Sequence, residues 1–169
     1  YFIISYKSNT KLNGLQIASV GFYCGHAFFG SHILNILPPI LGVYFYSKFT
    51  DQAFKNLAST AIFSNALSPI VSIIWNLFNF SIFGIILGIL IGILAGYLSV
   101  SLVERTVTFH NGLTLLNYGY TAGIIGTIFY SVLGVFKVTL EPVLILHEDA
   151  SLYSLSYLSI LCFITSCIL

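Results

Sequence analysis

A run of 48 residues without any charge, residues 56–103, separates Lys55 from Glu104 in this chain. A helix that crosses a bilayer needs about 20 apolar residues, so this run is long enough for two crossings. Charged residues make up 7% of the chain and hydrophobic residues 57%, whereas a soluble domain carries about 25% charge. These features exclude a small soluble domain and indicate an integral membrane protein in contact with the lipid bilayer.

Glycine recurs at every fourth position inside the charge-free run, at Gly84, Gly88, Gly92 and Gly96. In a helix these positions share one face, and small residues on a membrane helix let another backbone approach closely. We therefore predict that this face packs against a second helix. One candidate source of the second helix is another copy of the chain, in a homo-oligomer that pairs through this face.

Prolines, paired asparagines and charged residues divide the chain into six segments, which are residues 12–30, 33–47, 57–75, 80–103, 113–136 and 152 onward. We predict an all-α membrane protein, a polytopic helical bundle that forms one transmembrane domain over residues 1–169. Segment 33–47 has only 15 residues and contains Pro38 and Pro39. With the glycine-rich segment before it, it predicts a pair of short broken or re-entrant helices. Both ends of the chain interrupt apolar runs, so we expect a fragment of a longer protein.

The basic residues predict an orientation in the membrane. If residues 12–47 leave and return to one side, five of the six basic residues share that side; they are Lys7, Lys11, Lys48, Lys55 and Arg105. Lys137 then lies opposite, in a loop rich in acidic residues. Because basic residues accumulate in cytoplasmic loops, the shared side is predicted to be cytoplasmic.

An internal repeat is indicated by matches at a constant offset of 98. The matched residues are Asn13, Gly14, Leu15, Gly21 and Gly25, paired with Asn111, Gly112, Leu113, Gly119 and Gly123. Residues 41–43 also match residues 133–135, at an offset of 92. We predict parallel repeat units that begin near residue 12 and near residue 110, an arrangement common among transporters. Two membrane helices with similar starts are the alternative.

Two stretches, residues 29–44 (FGSHILNILPPILGVY) and residues 110–123 (HNGLTLLNYGYTAG), carry a resemblance to a known family. They resemble an uncharacterised bacterial and archaeal family of multi-pass membrane proteins, known only as a domain of unknown function. This chain departs from the family pattern at Asn111, where a glycine is usual, and at Leu116, where a tyrosine is usual. The resemblance implies a prokaryotic plasma membrane and supplies no activity.

The polar side chains inside the predicted spans are amides, hydroxyls and imidazoles, and five of them are our candidate substrate-binding residues: His26, His32, Asn35, Asn65 and Asn117. Polar groups at membrane depth usually face the bundle interior or a cavity. The alternative for each is a structural role, either in hydrogen bonds between helices or in a kinked, well-packed helix pair. The two serines near Pro69, Ser68 and Ser72, are expected to bond back to freed backbone carbonyls.

Metal and cofactor chemistry have little support in the sequence. His26, His32 and Cys24 invite a metal site, but six positions on a helix separate the two imidazoles around the axis, so we predict no metal. The chain has no phosphate-binding loop, no paired catalytic carboxylates and no serine elbow, so we predict no cofactor. A net charge of +1 gives no basic field for nucleic acid.

The sequence therefore favours a permease or channel for a small solute, with a path lined by the candidate amides and imidazoles. Two alternatives stay open. One is a membrane-embedded enzyme that acts on lipid, with His26, His32 or His110 as acid or base. The other is a membrane scaffold in which the glycine face binds a partner helix.

Overall fold

The computed structural model describes residues 14–27, 30–109, 117–138, 156, 157 and 160. Every regular element among them is helical, which confirms the all-α prediction. The α-helices are α1 (Gly14–Ala27), α2 (Ile33–Phe49), α3 (Ala58–Phe63), α4 (Ser68–Leu77), α5 (Ile82–Phe109) and α6 (Asn117–Val135). Short 3-10 helices at Phe54–Leu57 and Ser64–Leu67 precede α3 and α4.

The chain divides into two compact units, Tyr1–Phe136 and Lys137–Leu169. All six α-helices named here belong to the first unit. In the second unit only residues 137, 138, 156, 157 and 160 are described. The single domain over residues 1–169 therefore stays a prediction.

Three helical segments are long and apolar enough to cross a membrane, and they are Phe54–Leu77, Ile82–Thr106 and Asn117–Val135. The first consists of α3, α4 and the two 3-10 helices. Helices α1 and α2 are shorter, with 14 and 17 residues. At 1.5 Å per residue they extend about 21 and 26 Å, less than the roughly 30 Å of a hydrocarbon core.

The expected break at Pro38 and Pro39 is wrong, because α2 stays helical through both prolines. Both rings are buried, and they fit because the facing positions of α5 are glycines. A Cβ on Gly92 would lie 2.8 Å from the Pro38 Cβ, and a Cβ on Gly96 would overlap the Pro39 carbonyl oxygen. The interruption falls instead at Ser64–Leu67, in the middle of the span Phe54–Leu77, just before Pro69 in the first turn of α4.

Helices α2 and α5 run in the same direction in close contact. Pro38 faces Gly92, and further along both helices a Cβ on Gly42 would lie 2.6 Å from the Tyr97 backbone nitrogen. Near the ends of these helices the rings of Tyr46 and Tyr97 are 5.1 Å apart. One buried cluster joins this end to the start of the span Phe54–Leu77; its members are Val43, Tyr46, Leu57, Ala61 and Val100.

This packing places Lys48, Lys55 and Arg105 at one end of the bundle. Lys48 lies in the last turn of α2, Lys55 at the start of the span Phe54–Leu77, and Arg105 near the end of α5. Three of the five basic residues predicted to share a side therefore share an end, and the orientation in the membrane stays a prediction. We refer to this end as the basic end. The turn at residues 78–80 lies at the opposite end, because the span Phe54–Leu77 ends there and α5 begins after it.

The glycine face of α5 packs against helices of the same chain. Gly88 lies against Trp75 of α4, and Gly92 lies against Val71 of α4 as well as Pro38 of α2. The predicted close helix contact is therefore present, but α2 and α4 occupy it. A homo-oligomer through Gly84, Gly88, Gly92 and Gly96 stays a prediction.

The internal repeat stays a prediction, because residues 1–13 and 110–116 lie outside the described residues. The shorter match, residues 41–43 with 133–135, occupies two different environments. Gly42 is buried against the backbone of α5, whereas Gly134 is exposed and a Cβ there would meet nothing within 4 Å.

Candidate functional site

Among residues 30–32, between α1 and α2, Ser31 is half-buried and contacts the neighbouring span, whereas Gly30 and His32 are exposed. The Ser31 hydroxyl is 2.8 Å from the Ser68 hydroxyl, and Ser68 lies nine residues before Leu77, the last residue of its span. At 1.5 Å per residue this is about 13 Å from the end of that span. Helix α2 then returns to the basic end. The predicted re-entrant pair, α1 and α2, turns at residues 30–32, which we call the tip; its re-entry into the membrane stays a prediction.

A glycine makes the sharp turn at this tip. Gly30 has a φ of +84°, a region that residues with a Cβ rarely adopt. Its N–H donates to the Ala27 carbonyl at 3.3 Å, and the Ser31 N–H donates to the His26 carbonyl at 3.3 Å. These two hydrogen bonds form a Schellman motif, which ends α1 and satisfies two of its last carbonyls.

Asn35 joins the tip to the neighbouring span. Its Oδ1 accepts a hydrogen bond from the His32 backbone N–H at 2.8 Å, which caps the start of α2. Its Nδ2 donates to the Gly30 carbonyl at 3.0 Å and to the Ser72 hydroxyl at 2.7 Å. The side chain is buried. The bonds to Gly30 and His32 fix the tip to the start of α2, and the bond to Ser72 joins it to α4.

A cleft of about 340 Å³, partly open to the outside, lies beside this tip. Ten residues line it: Gly30, His32, Asn35, Ser68, Pro69, Ser72, Ile73, Trp75, Asn76 and Phe80. Asn76 and Phe80 are exposed and belong to the end of the bundle opposite the basic residues. The cleft therefore has an exposed rim at that end, and its lining residues Gly30, His32 and Pro69 are exposed as well.

Trp75 forms an aromatic wall of the cleft. Its Nε1 donates to the Ile85 carbonyl at 3.2 Å, and the imidazole of His32 stacks at 6.1 Å between ring centroids. The indole fits against α5 because Gly88 has no side chain, since a Cβ there would lie 2.5 Å from the Trp75 Nε1. The hydrogen bond from Nε1 to α5 fixes the orientation of the indole ring.

Asn65 is an unpaired amide in the middle of a span. It lies in the 3-10 helix Ser64–Leu67, which contacts α1, α2, α5 and α6. The residue is 0% exposed, and neither its Oδ1 nor its Nδ2 has a hydrogen-bond partner among the described residues. A buried polar group without a partner is rare and destabilising, so its presence calls for an explanation beyond packing.

Of the five predicted site residues, the structure brings only His32 and Asn35 together in the cleft. His26 lies in α1, with its Nδ1 3.1 Å from the Phe22 carbonyl. Asn65 and Asn117 do not line the cleft, and Asn117 is the half-buried first residue of α6, with its Oδ1 unpaired among the described residues.

The two serines near Pro69 have a different role from the expected one. Ser68 and Ser72 were predicted to bond back to local carbonyls, but their recorded hydrogen bonds are to Ser31 and Asn35. Sequence reasoning also missed Ser31 and Trp75 as parts of the site. One signal existed for Trp75, since it is the single tryptophan of the chain and lies in the last turns of an interrupted span.

Comparison with known proteins identifies the family of the chain but assigns it no activity. No curated protein and no solved structure matches the chain. A family model described as a protein of unknown function, DUF1576, matches residues 1–135. These residues include every helix of the bundle and the cleft. The resemblance to an uncharacterised family is thereby confirmed, and the chain belongs to DUF1576.

Proposed function

We propose that the protein is a permease or channel that passes a small solute across the membrane through the cleft. The observation that supports this most is the tip of the re-entrant pair, which meets a broken span beneath an open polar cleft. In a membrane, irregular backbone is tolerated where it is buried in protein or lines a water-filled cavity. In transporters, discontinuous helices of this kind form the solute site near the bilayer midplane.

The proposed path enters at Asn76 and descends to Asn35 and Ser68. Asn65 is the next polar group toward the basic end, because it precedes Ser68 by three residues in the same span. Its amide, which is unpaired among the described residues, offers both a donor and acceptors to a passing solute or to water. His26 and Asn117, which the sequence also nominated, are not needed for this part of the path.

We further propose that the protein is a multi-pass protein of a prokaryotic plasma membrane, with its basic end in the cytoplasm. Lys48, Lys55 and Arg105 share that end, and basic residues concentrate on the cytoplasmic side. In this orientation the cleft opens to the exterior.

Features of the cleft favour transport over the enzymatic and scaffold alternatives. His32 is the one histidine among the lining residues, and no Asp or Glu lines the cleft with it. His110 lies outside the described residues. A scaffold that binds a partner through the glycines of α5 has lost its main support, because α2 and α4 already cover that face.

The test is solute flux into liposomes that contain the intact protein, measured by stopped-flow light scattering over a panel of small solutes. We expect at least one solute to enter faster than in protein-free liposomes. Ser72→Leu fills the cleft and should reduce that flux at least ten-fold. Ser131→Leu, the same change on an exposed position of α6, should leave it unchanged. The proposal is overturned if no solute enters faster, or if both variants keep full flux.

A further inference from the structure

The cleft contains no fixed charge that would recognise an ion. None of its ten lining residues is Asp, Glu, Lys or Arg. A charged ligand brought to this depth would lose its hydration without gaining an opposite charge, which is strongly unfavourable. The start of α2 offers a weak preference for anions, but its His32 N–H is already bonded to Asn35. A neutral ligand suits this lining better than an ion.

Three hydroxyls line or border the polar side of the cleft, beside the exposed Asn76 amide and His32 imidazole. Because Ser72 accepts a hydrogen bond from Asn35, its own hydroxyl hydrogen stays free to donate. In the pair formed by Ser31 and Ser68, one hydroxyl donates and the other keeps its hydrogen. Each hydroxyl also retains acceptor capacity. Groups that both donate and accept match a ligand whose own groups do the same, and alcohol groups have this property.

One side of the cleft is apolar and aromatic. Trp75, Ile73 and Phe80 line it beside the serines and Asn35. A binding site with a broad apolar wall and a few placed polar groups suits a small molecule with one carbon face and one polar face. A volume of about 340 Å³ is near the lower end of the range for small-molecule pockets, so the ligand is small.

From these features we infer that the cleft is a binding site for a small neutral polyol, with its carbon chain against Trp75 and its hydroxyls bonded to Ser72 and Ser68. The inference names the solute class of the site described above and rests on the proposed function. It concerns binding, so it is testable without flux.

Trp75 provides the measurement, because its emission reports directly from the cleft wall. The purified intact protein in detergent is titrated with erythritol and xylitol, with lactate as an anionic probe and choline as a cationic probe. The spectrum of Trp75→Phe is subtracted to isolate the Trp75 signal, and equilibrium dialysis with labelled xylitol gives an independent binding constant. We expect a saturable change with the polyols and none with lactate or choline.

Two variants test whether binding occurs in the cleft. Ser72→Ala keeps the volume open and removes one hydroxyl, and it should weaken polyol binding at least five-fold. Ser131→Ala, on an exposed face of α6, should bind as the wild type does. Because Ser72→Ala is a small change, folding is checked by an unchanged elution volume and helical content.

The outcomes separate the inference from the proposed function. If the protein binds polyols, Ser72→Ala weakens that binding and no flux is seen, the inference is supported and transport is overturned. Flux of a charged solute together with saturable lactate or choline binding and no polyol binding overturns the inference and keeps transport. No saturable change with any probe, or equal polyol binding by wild type and Ser72→Ala, also overturns the inference.

Discussion

Two asparagines in this protein are equally buried but have opposite hydrogen-bonding environments. Asn35 makes three hydrogen bonds, to Gly30, His32 and Ser72. Asn65 makes none with the described residues. A buried amide that is fully bonded stabilises a fold, whereas one without partners carries the full penalty of its lost hydration. Asn35 therefore has a structural role, whereas Asn65 carries a cost in stability that packing does not explain.

Replacing each of these amides with leucine should change stability in opposite directions. Asn65→Leu removes an unpaired polar group with little change in volume, and should raise the free energy of unfolding by about 1–3 kcal/mol. Asn35→Leu leaves the Gly30 carbonyl and the His32 N–H without their partner and should lower it by a similar amount. Unfolding curves in mixed detergent and SDS measure both.

The same pair separates stability from transport. Asn65→Leu should reduce solute flux even though the protein becomes more stable, since it removes a polar group from the proposed path. A loss of stability in Asn65→Leu would mean that its amide has a bound partner, such as water, and would contradict the unpaired state.

Single glycines decide how closely α2 and α5 approach. A Cβ on Gly96 would overlap the carbonyl oxygen of Pro39, whose backbone cannot move without separating the two helices. Overpacking of this kind costs about 1–3 kcal/mol. We therefore expect Gly96→Ala to lower the free energy of unfolding by that amount in the same detergent assay.

Gly123→Ala is the matched control for this change. Gly123 also lies in a membrane-spanning helix, but a Cβ there meets nothing within 4 Å. Its unfolding midpoint should stay close to that of the wild type. Equal losses in both variants would show that glycine is needed for helix flexibility and that close contact is not the cause.

At the scale of helices, the sequence predicted which segments are helical and misjudged where they break. The charge-free run identified α5 and its partner span, and the paired asparagines identified the turn after Leu77. The break was assigned to Pro38 and Pro39 because proline removes a helical hydrogen bond. Here α2 stays helical through both prolines, which pack against glycines of a distant segment. That information is absent from the local sequence.

The depth of the helix tip at residues 30–32 predicts restricted chemical access. In a protein whose cysteines are replaced, Ser31→Cys should react with a small thiol reagent that enters the cleft and should resist a bulky polymer-linked maleimide. Ser81→Cys, in the exposed turn before α5, should react with both. If the bulky reagent labelled Ser31→Cys as fast as it labels Ser81→Cys, the tip would lie at the membrane surface. Helices α1 and α2 would then be two full spans.

At the scale of the molecule, the candidate site could be predicted only in part. His32 and Asn35 were found because polar residues beside a proline pair stand out in an apolar segment. The other hydroxyls of the site come from another helix: Ser72 bonds Asn35 and Ser68 bonds Ser31, each pair 37 positions apart along the chain. No local pattern links residues so far apart, so the cleft emerges only when the re-entrant pair is packed against the broken span.

The orientation of the whole bundle is the last property that follows from this packing. Asn56 is exposed beside Lys55 at the basic end, and Ser81 is exposed at the opposite end. Because the basic end should face the cytoplasm, a membrane-impermeant thiol reagent should label Ser81→Cys in intact bacterial cells that express the full protein. It should label Asn56→Cys only after the cells are permeabilised. The reverse pattern would turn the cleft toward the cytoplasm, and the proposed path would then take up its solute from inside the cell.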